Sequence, residues 1–305
     1  MEHSHTEHNH EHHHEHDVSN VSGVKLFWVT VLNSTITITE ILGGIFSGSL
    51  ALLSDAIHNL SDTLAIVLSY YALKISQKEK NIHKTYGYKR AQVLAAFVNS
   101  SILIVVSVFL LFEAYKRFLH PEPIQSNLMI IVAIIGLVAN FISVYLLEKD
   151  SHESMNIKAG YLHLIADTVS SVGVVLGGIA IKIWNITFLD PLITVLISIY
   201  ILREAWFMVK KTIDILMQSS ADMDYDKLKT EVEKIDGVIN IHHIHTWMSD
   251  EKTIYFEAHI ELENMLISET TEIYDKIEHL LKDEFGVFHV TLQFEINRCD
   301  NKEMF

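Results

Sequence analysis

Residues 91–112 read AQVLAAFVNSSILIVVSVFLLF, with no Asp, Glu, Lys, Arg or His among them. A helix rises about 1.5 Å per residue, so roughly 20 apolar residues cross the hydrocarbon core of a bilayer. This stretch can span alone, and so can the equally uncharged Ile124–Leu147. Four further runs lie on either side of these two. Val24–Phe46 carries only Lys25 and Glu40, and Pro191–Met208 carries Arg203 and Glu204 near its end. Leu50–Leu73 holds Asp55, His58 and Asp62, and Ala159–Ile181 holds His163 and Asp167. Ser47-Gly48-Ser49, Pro121-Glu122-Pro123 and Asp190-Pro191 punctuate the pattern. Six apolar runs without a polar face predict a polytopic α-helical membrane domain over 21–216.

Charge divides the 305 residues in the same way. Residues 1–17 carry five acids and no Lys or Arg, 18–218 carry 13 acids and 15 bases, and 219–305 carry 20 acids and 8 bases. No basic stripe is present to neutralise phosphates, so a nucleic-acid partner is excluded. The single cysteine, Cys299, excludes an internal disulfide framework and a zinc ribbon. Lys74, Lys78, Lys80, Lys84, Lys89 and Arg90 crowd the stretch after the second run, and Lys149 and Lys158 follow the fourth. Lys116, Arg117 and Lys182 lie on the other side, so both termini are expected in the cytoplasm. No secretory signal pattern is present, which leaves the first span as its own insertion signal. The expected location is a bacterial inner membrane.

Residues 217–298 read as a soluble α+β domain of ferredoxin-like kind, with 299–305 as a tail. Asp224–Ile235 and Ser268–Phe285 have helical spacing, and Val238–Met248, Thr253–Leu262 and Val287–Ile296 read as strands.

Ionisable groups inside spans are costly and mark sites by default. His58 and Asp62 are spaced i, i+4 in span two, and His163 and Asp167 repeat that spacing in span five. Each pair therefore faces one way on its helix. Opposed, they would gather two imidazoles and two carboxylates, a donor set suited to tetrahedral Zn²⁺. The competing reading is a hydrogen bond within each helix, and the duplication in two spans weighs against it. Asp55, one turn before His58, suits either a carboxylate that orients that imidazole or a clamp on a neighbouring helix. Glu40 has no partner at i±4 and reads as a packing or cavity residue. Asn99 and Asn140 read as hydrogen bonds between helices.

Eight of the 19 histidines fall between His3 and His16, interleaved with Glu, Asn, Ser and Thr. That composition predicts a disordered metal-collecting tail over 1–20 rather than an affinity tag. In the soluble domain His242, His243, His245, His259, His289 and Glu295 fall on three paired strands and predict a second metal site. Alternation sends His243 and His245 to one face, opposite His242 and Ile244.

These features resemble the cation diffusion facilitator family of zinc transporters, and within it the bacterial zinc exporters with a His-rich N-terminus. The likeness covers roughly residues 20–298. It rests on the string from Leu53 to Asp62, on Thr85-Tyr86-Gly87-Tyr88-Lys89-Arg90, on Asp190-Pro191, on His242-His243-Ile244-His245-Thr246-Trp247 and on Val290 to Glu295. The resemblance implies a homodimeric secondary transporter that exports Zn²⁺ in exchange for H⁺, with no organic cofactor. It implies His58, Asp62, His163 and Asp167 as transport ligands, and histidine rather than aspartate at 58 as the zinc-selective form. It implies His245, His259 and Glu295 as regulatory zinc ligands between cytoplasmic domains, with His242 and His289 as further candidates. One departure is His83, which stands one position further from Tyr86-Gly87 than the family's loop histidine, while Tyr88 replaces a second histidine. An intramembrane metalloenzyme is disfavoured, since no His-Glu-x-x-His occurs within the six apolar runs. A passive metal channel and a metal-sensing membrane protein remain as alternatives.

Overall fold

The computed structural model describes residues 18–148, 155–299 and 303–304, with side chains omitted for 18–27, 147 and 155–160. The His-rich segment therefore lies outside the described residues. Six long helices come first: α1 (Val18–Ser47), α2 (Leu50–Ser76), α3 (Arg90–Leu119), α4 (Ser126–Glu148), α5 (Met155–Trp184) and α6 (Leu189–Leu216). All six are long and apolar enough to cross a membrane. Their outer surfaces carry Trp28, Phe46, Phe109, Phe141, Leu176 and Leu196 exposed. Contiguous apolar surface of that extent suits lipid rather than water. The helices run past the apolar runs at both ends, because backbone hydrogen bonding continues where hydropathy stops.

The chain forms two compact units, Met1–Thr63 with Val105–Leu202, and Leu64–Ile104 with Arg203–Phe305. In the first, α4 packs against both α1 and α5. Ala51, Leu52, Met129, Val132, Ala133, Val174 and Val175 form its buried core. The start of α2 is fixed from far away in sequence. Ser49 Oγ donates to Asp190 Oδ1 at 2.5 Å, and the amides of Leu50 and Ala51 donate to the same carboxylate at 2.9 and 3.2 Å. An acid there satisfies orphan amides and opposes the helix dipole. Arg117 completes the group, donating to Gly48 O and lying 4.0 Å from Asp190 and 3.3 Å from Glu122.

The second unit holds the α+β domain: α7 (Tyr225–Val232), β1 (Val238–Met248), β2 (Ile254–Leu262), α8 (Thr270–Phe285) and β3 (Val287–Glu295). The sheet order is β1-β2-β3, with β1 antiparallel and β3 parallel to β2. Parallel pairing requires a crossover, which α8 supplies. Asp224 caps α7 by accepting from the Lys227 amide at 2.9 Å. Gly286 ends α8 at φ 67°, a conformation that favours glycine. Ile273, Ile277 and Leu281, at helical spacing, bury one face of α8 with Ile241, Ile244, Phe256 and Ile260 of the sheet. Each such side chain contributes about 1.5–3 kcal/mol by burial. In this same unit the loop before α3 docks on the sheet. The Tyr86 ring lies 5.3 Å from Tyr255, and Lys89 donates to Thr253 Oγ1 at 2.8 Å, 4.4 Å above the Phe288 ring.

Candidate metal centre

Helix α2 presents His58 and Asp62 one turn apart, and α5 presents His163 and Asp167 in the same way. Their donor atoms all lie within 4.8 Å of one another. His163 Nε2 is 3.0 Å from Asp62 Oδ2 and 3.6 Å from Asp167 Oδ2. His58 Nε2 is 3.4 Å from Asp167 Oδ1 and 3.8 Å from Asp62 Oδ2. Four donors about 2.0–2.1 Å from a shared Zn²⁺ stand about 3.3 Å apart in a tetrahedron. The four His–Asp spacings straddle that edge, with Asp167 offering a different oxygen to each imidazole. The imidazoles meet edge to face at 5.5 Å. His58 Nδ1 has no hydrogen-bond partner and Nε2 faces only the Asp167 and Asp62 carboxylates, although the ring is buried. Such a group is costly unless a cation or proton satisfies it.

Accessibility is divided within the cage. The side chains of His58 and Asp167 are 11% and 4% exposed, against 41% and 26% for His163 and Asp62. The group is thus open on the side of His163 and Asp62 and closed on the side of His58 and Asp167.

A second group forms in the α+β domain from His242, His259, Glu295 and Cys299. His242 Nε2 lies 3.0 Å from Glu295 Oε1, and His259 Nδ1 lies 3.4 Å from Glu295 Oε2. Cys299 Sγ is 3.8 Å from His259 Nδ1 and 3.6 Å from Glu295 Oε2. Two imidazoles, a carboxylate and a thiol at these spacings fit Zn²⁺. Burial, chiefly, holds the His259 imidazole below its ordinary range, with His243 and His242 adding to it against Glu295. Burial alone would raise Glu295, but donors from Cys299 and Gln293 with His242 and His259 hold it below the usual carboxylate range. Both shifts favour the deprotonated, metal-ready forms.

A family model described as the cation efflux transmembrane domain matches residues 26–217, and one described as the cation efflux protein cytoplasmic domain matches 221–297. The chain belongs to the cation efflux family. The zinc transporter ZitB of Escherichia coli (strain K12) is 34% identical over 278 residues, covering 90% of this chain and 88% of that protein. The cation efflux system protein CzcD of Alcaligenes sp. (strain CT14) is 33% identical, covering 89% and 86%. A cadmium, cobalt and zinc/H(+)-K(+) antiporter of Bacillus subtilis (strain 168) is 36% identical, covering 85% and 84%.

In this cation efflux protein the remaining expected residues lie apart from the two groups. Asp55 accepts from Ser170 Oγ at 2.8 Å and Ser171 Oγ at 3.1 Å, so its carboxylate clamps α2 to α5. Asn140 donates to the same Ser171 at 3.1 Å and ties α4 to that clamp. His245 is exposed opposite Glu257, and His289 is exposed with its ring 5.9 Å from Tyr255. His83 joins no group of three metal donors among the described residues.

Strict alternation along β1 does not hold. The register slips between His242 and His245, and His243 takes φ 49°. Such a bulge adds one residue and re-aims its neighbours. His242 becomes fully buried, while His243 stacks on His259 at 5.1 Å instead of sharing a face with His245. The amides of His243 and Ile244 are taken up by the carbonyls of Glu303 and Met304. In sequence, Cys299 reads only as excluding a disulfide framework and a zinc ribbon. Its spacing of four from Glu295 falls in irregular backbone and gives no direction in sequence.

Proposed function

We propose that this cation efflux transporter exports Zn²⁺ from the cytoplasm in exchange for H⁺, through the His58, Asp62, His163 and Asp167 cage between α2 and α5. The observation that carries this reading is the set of donor spacings of 3.0–3.8 Å around the tetrahedral edge. The names of the relatives, zinc transporter and zinc/H(+)-K(+) antiporter, support both the substrate and the exchange.

The chemistry follows from competition for the same atoms. Imidazole nitrogens and carboxylate oxygens must be deprotonated to hold Zn²⁺, so metal binding releases protons and protons expel metal. Facing the cytoplasm, the cage binds Zn²⁺. Facing outward, protons take His58 and His163, with Asp62 and Asp167 supplying compensating charge. The protonated cage then returns by rocking of helices around the site. His58, where some family members carry aspartate, makes the cage selective for zinc. Both termini face the cytoplasm of a bacterial inner membrane, and the protein works as a homodimer. The second group, extended by Cys299, senses cytoplasmic Zn²⁺ and biases the conformational equilibrium by binding one arrangement more tightly. No organic cofactor and no enzymatic step enter.

Zn²⁺ flux into proteoliposomes, recorded with and without an imposed pH gradient, tests this reading. Flux that rises with the gradient supports exchange. Flux indifferent to the gradient would make the protein a passive channel, and its absence would favour a membrane-bound sensor.

A further inference from the structure

Glu40 on α1 stands apart from the four cage donors, yet it is 1% exposed in the membrane domain. Its Oε2 accepts from Asn59 Nδ2 at 3.0 Å. Its Oε1 meets no protein donor. That oxygen is aimed at α4, where Gly136 has no side chain to collide with it. A Cβ at Gly136 would lie 2.1 Å from Oε1. The charged groups within electrostatic reach are Asp55 of α2 and Asp167 of α5, both acids. Helix α4 adds none, since its one charged residue is Glu148 at its end. No Lys, Arg or His pairs with Glu40 among the described residues.

An ionised carboxylate in apolar surroundings needs a cation or several donors, and Glu40 has one amide and two neighbouring acids. A proton meets that need with the least desolvation. We propose that Glu40 is a proton-binding site of the exchange, separate from the metal ligands, which holds H⁺ while the cage lacks Zn²⁺ and gives it up when Zn²⁺ binds.

The proposal rests on the cage reading above. Asn59 directly follows His58 on α2, so Glu40 is hydrogen-bonded to the helix that carries two of the four donors. Zn²⁺ in the cage would offset the negative charge of Asp167, one of the two acids near Glu40, and so ease loss of the Glu40 proton. The carboxyl O–H bond then breaks and the proton passes to solvent, with no change of oxidation state. By linkage, protonation of Glu40 weakens Zn²⁺ binding by the same factor.

The test uses the full chain in detergent and weak buffer, with Zn²⁺ binding and proton release recorded together. Glu40→Gln mimics the protonated form and keeps an acceptor for Asn59. The variant is expected to bind Zn²⁺ in the cage with unchanged stoichiometry and to release about one proton fewer per ion, with a correspondingly flatter pH dependence of affinity. Equal proton release from both proteins would overturn the proposal. Asn59→Ala, which deletes the amide donor to Glu40, should shift zinc-linked release to higher pH, and an unshifted curve counts equally against it. A His58→Ala sample separates the two levels of inference. If its transmembrane zinc binding is undiminished, the cage reading fails, whatever Glu40 does.

Discussion

The membrane cage and the cluster of the α+β domain each gather four donors, but they are assembled differently. The cage takes two i, i+4 pairs from two helices and contains only nitrogen and oxygen. The cluster draws on three strands, a bulge and a residue beyond the last strand, and it adds a thiol. The oxygen-rich cage suits a metal that must leave again, because protons compete well for imidazole and carboxylate. A thiolate donor holds softer metals more firmly, as a resident regulatory ion requires. On the proposed function, the difference is one between passage and retention.

The largest expected effect breaks the cage alone. Asp62→Ala or His163→Ala should lower zinc flux by more than the roughly 10–100-fold that loss of an outer partner costs, because a ligand itself is removed. Flux assays on reconstituted vesicles check this, and binding at the α+β cluster should be unchanged. Next, Asp55→Ala frees Ser170 and Ser171 and loosens α2 from α5. Zinc affinity of the cage is expected to drop by less than the loss of a ligand costs while the protein still folds, as isothermal titration would show.

Cys299 and His245 sharpen the comparison from the other side. Cys299→Ser should weaken zinc binding at the cluster by at least about tenfold, with maximal flux retained at saturating zinc. His245→Ala, removing an exposed residue outside the group, should leave that affinity unchanged. Equal losses in the two variants would move the ligand set toward the pairing implied by family resemblance.

The cage was legible because hydropathy and a repeated spacing both report on helices. Once Leu50–Leu73 and Ala159–Ile181 are spans, His58 with Asp62 and His163 with Asp167 must each share a face. The cluster was legible only in part. His242, His259 and Glu295 could be placed on paired strands, but the slip at His243 depends on amides meeting the carbonyls of Glu303 and Met304. No local pattern announces that return of the chain. Cys299 follows β3 in irregular backbone, where a spacing of four carries no fixed direction. The Asp190 cap on α2 and the Asn59 bond to Glu40 also join distant segments that spacing cannot connect.

Acidity should act on the cluster with a definite sign. His259 and Glu295 are both held below their ordinary ranges, so the unfolded chain binds more protons than the folded one. Stability and zinc affinity of the α+β domain are therefore full near neutrality. They fall first as pH drops through the ordinary histidine range, then further as Glu295 protonates. Thermal melts of the full chain across that range should show a small downward drift, reduced in His259→Ala. A smaller effect still is expected from Ser49→Ala, which loses a capping hydroxyl worth about 0.5–2 kcal/mol.

The central claim is that zinc passes through the cage and that its passage is coupled to protons moving the other way. Simultaneous recording of Zn²⁺ and H⁺ movement in vesicles holding the native chain or Asp167→Asn tests it most directly. Opposed, gradient-dependent fluxes in the native protein that vanish together in the variant are the predicted result. Zinc flux that persists in Asp167→Asn at the native rate would contradict it.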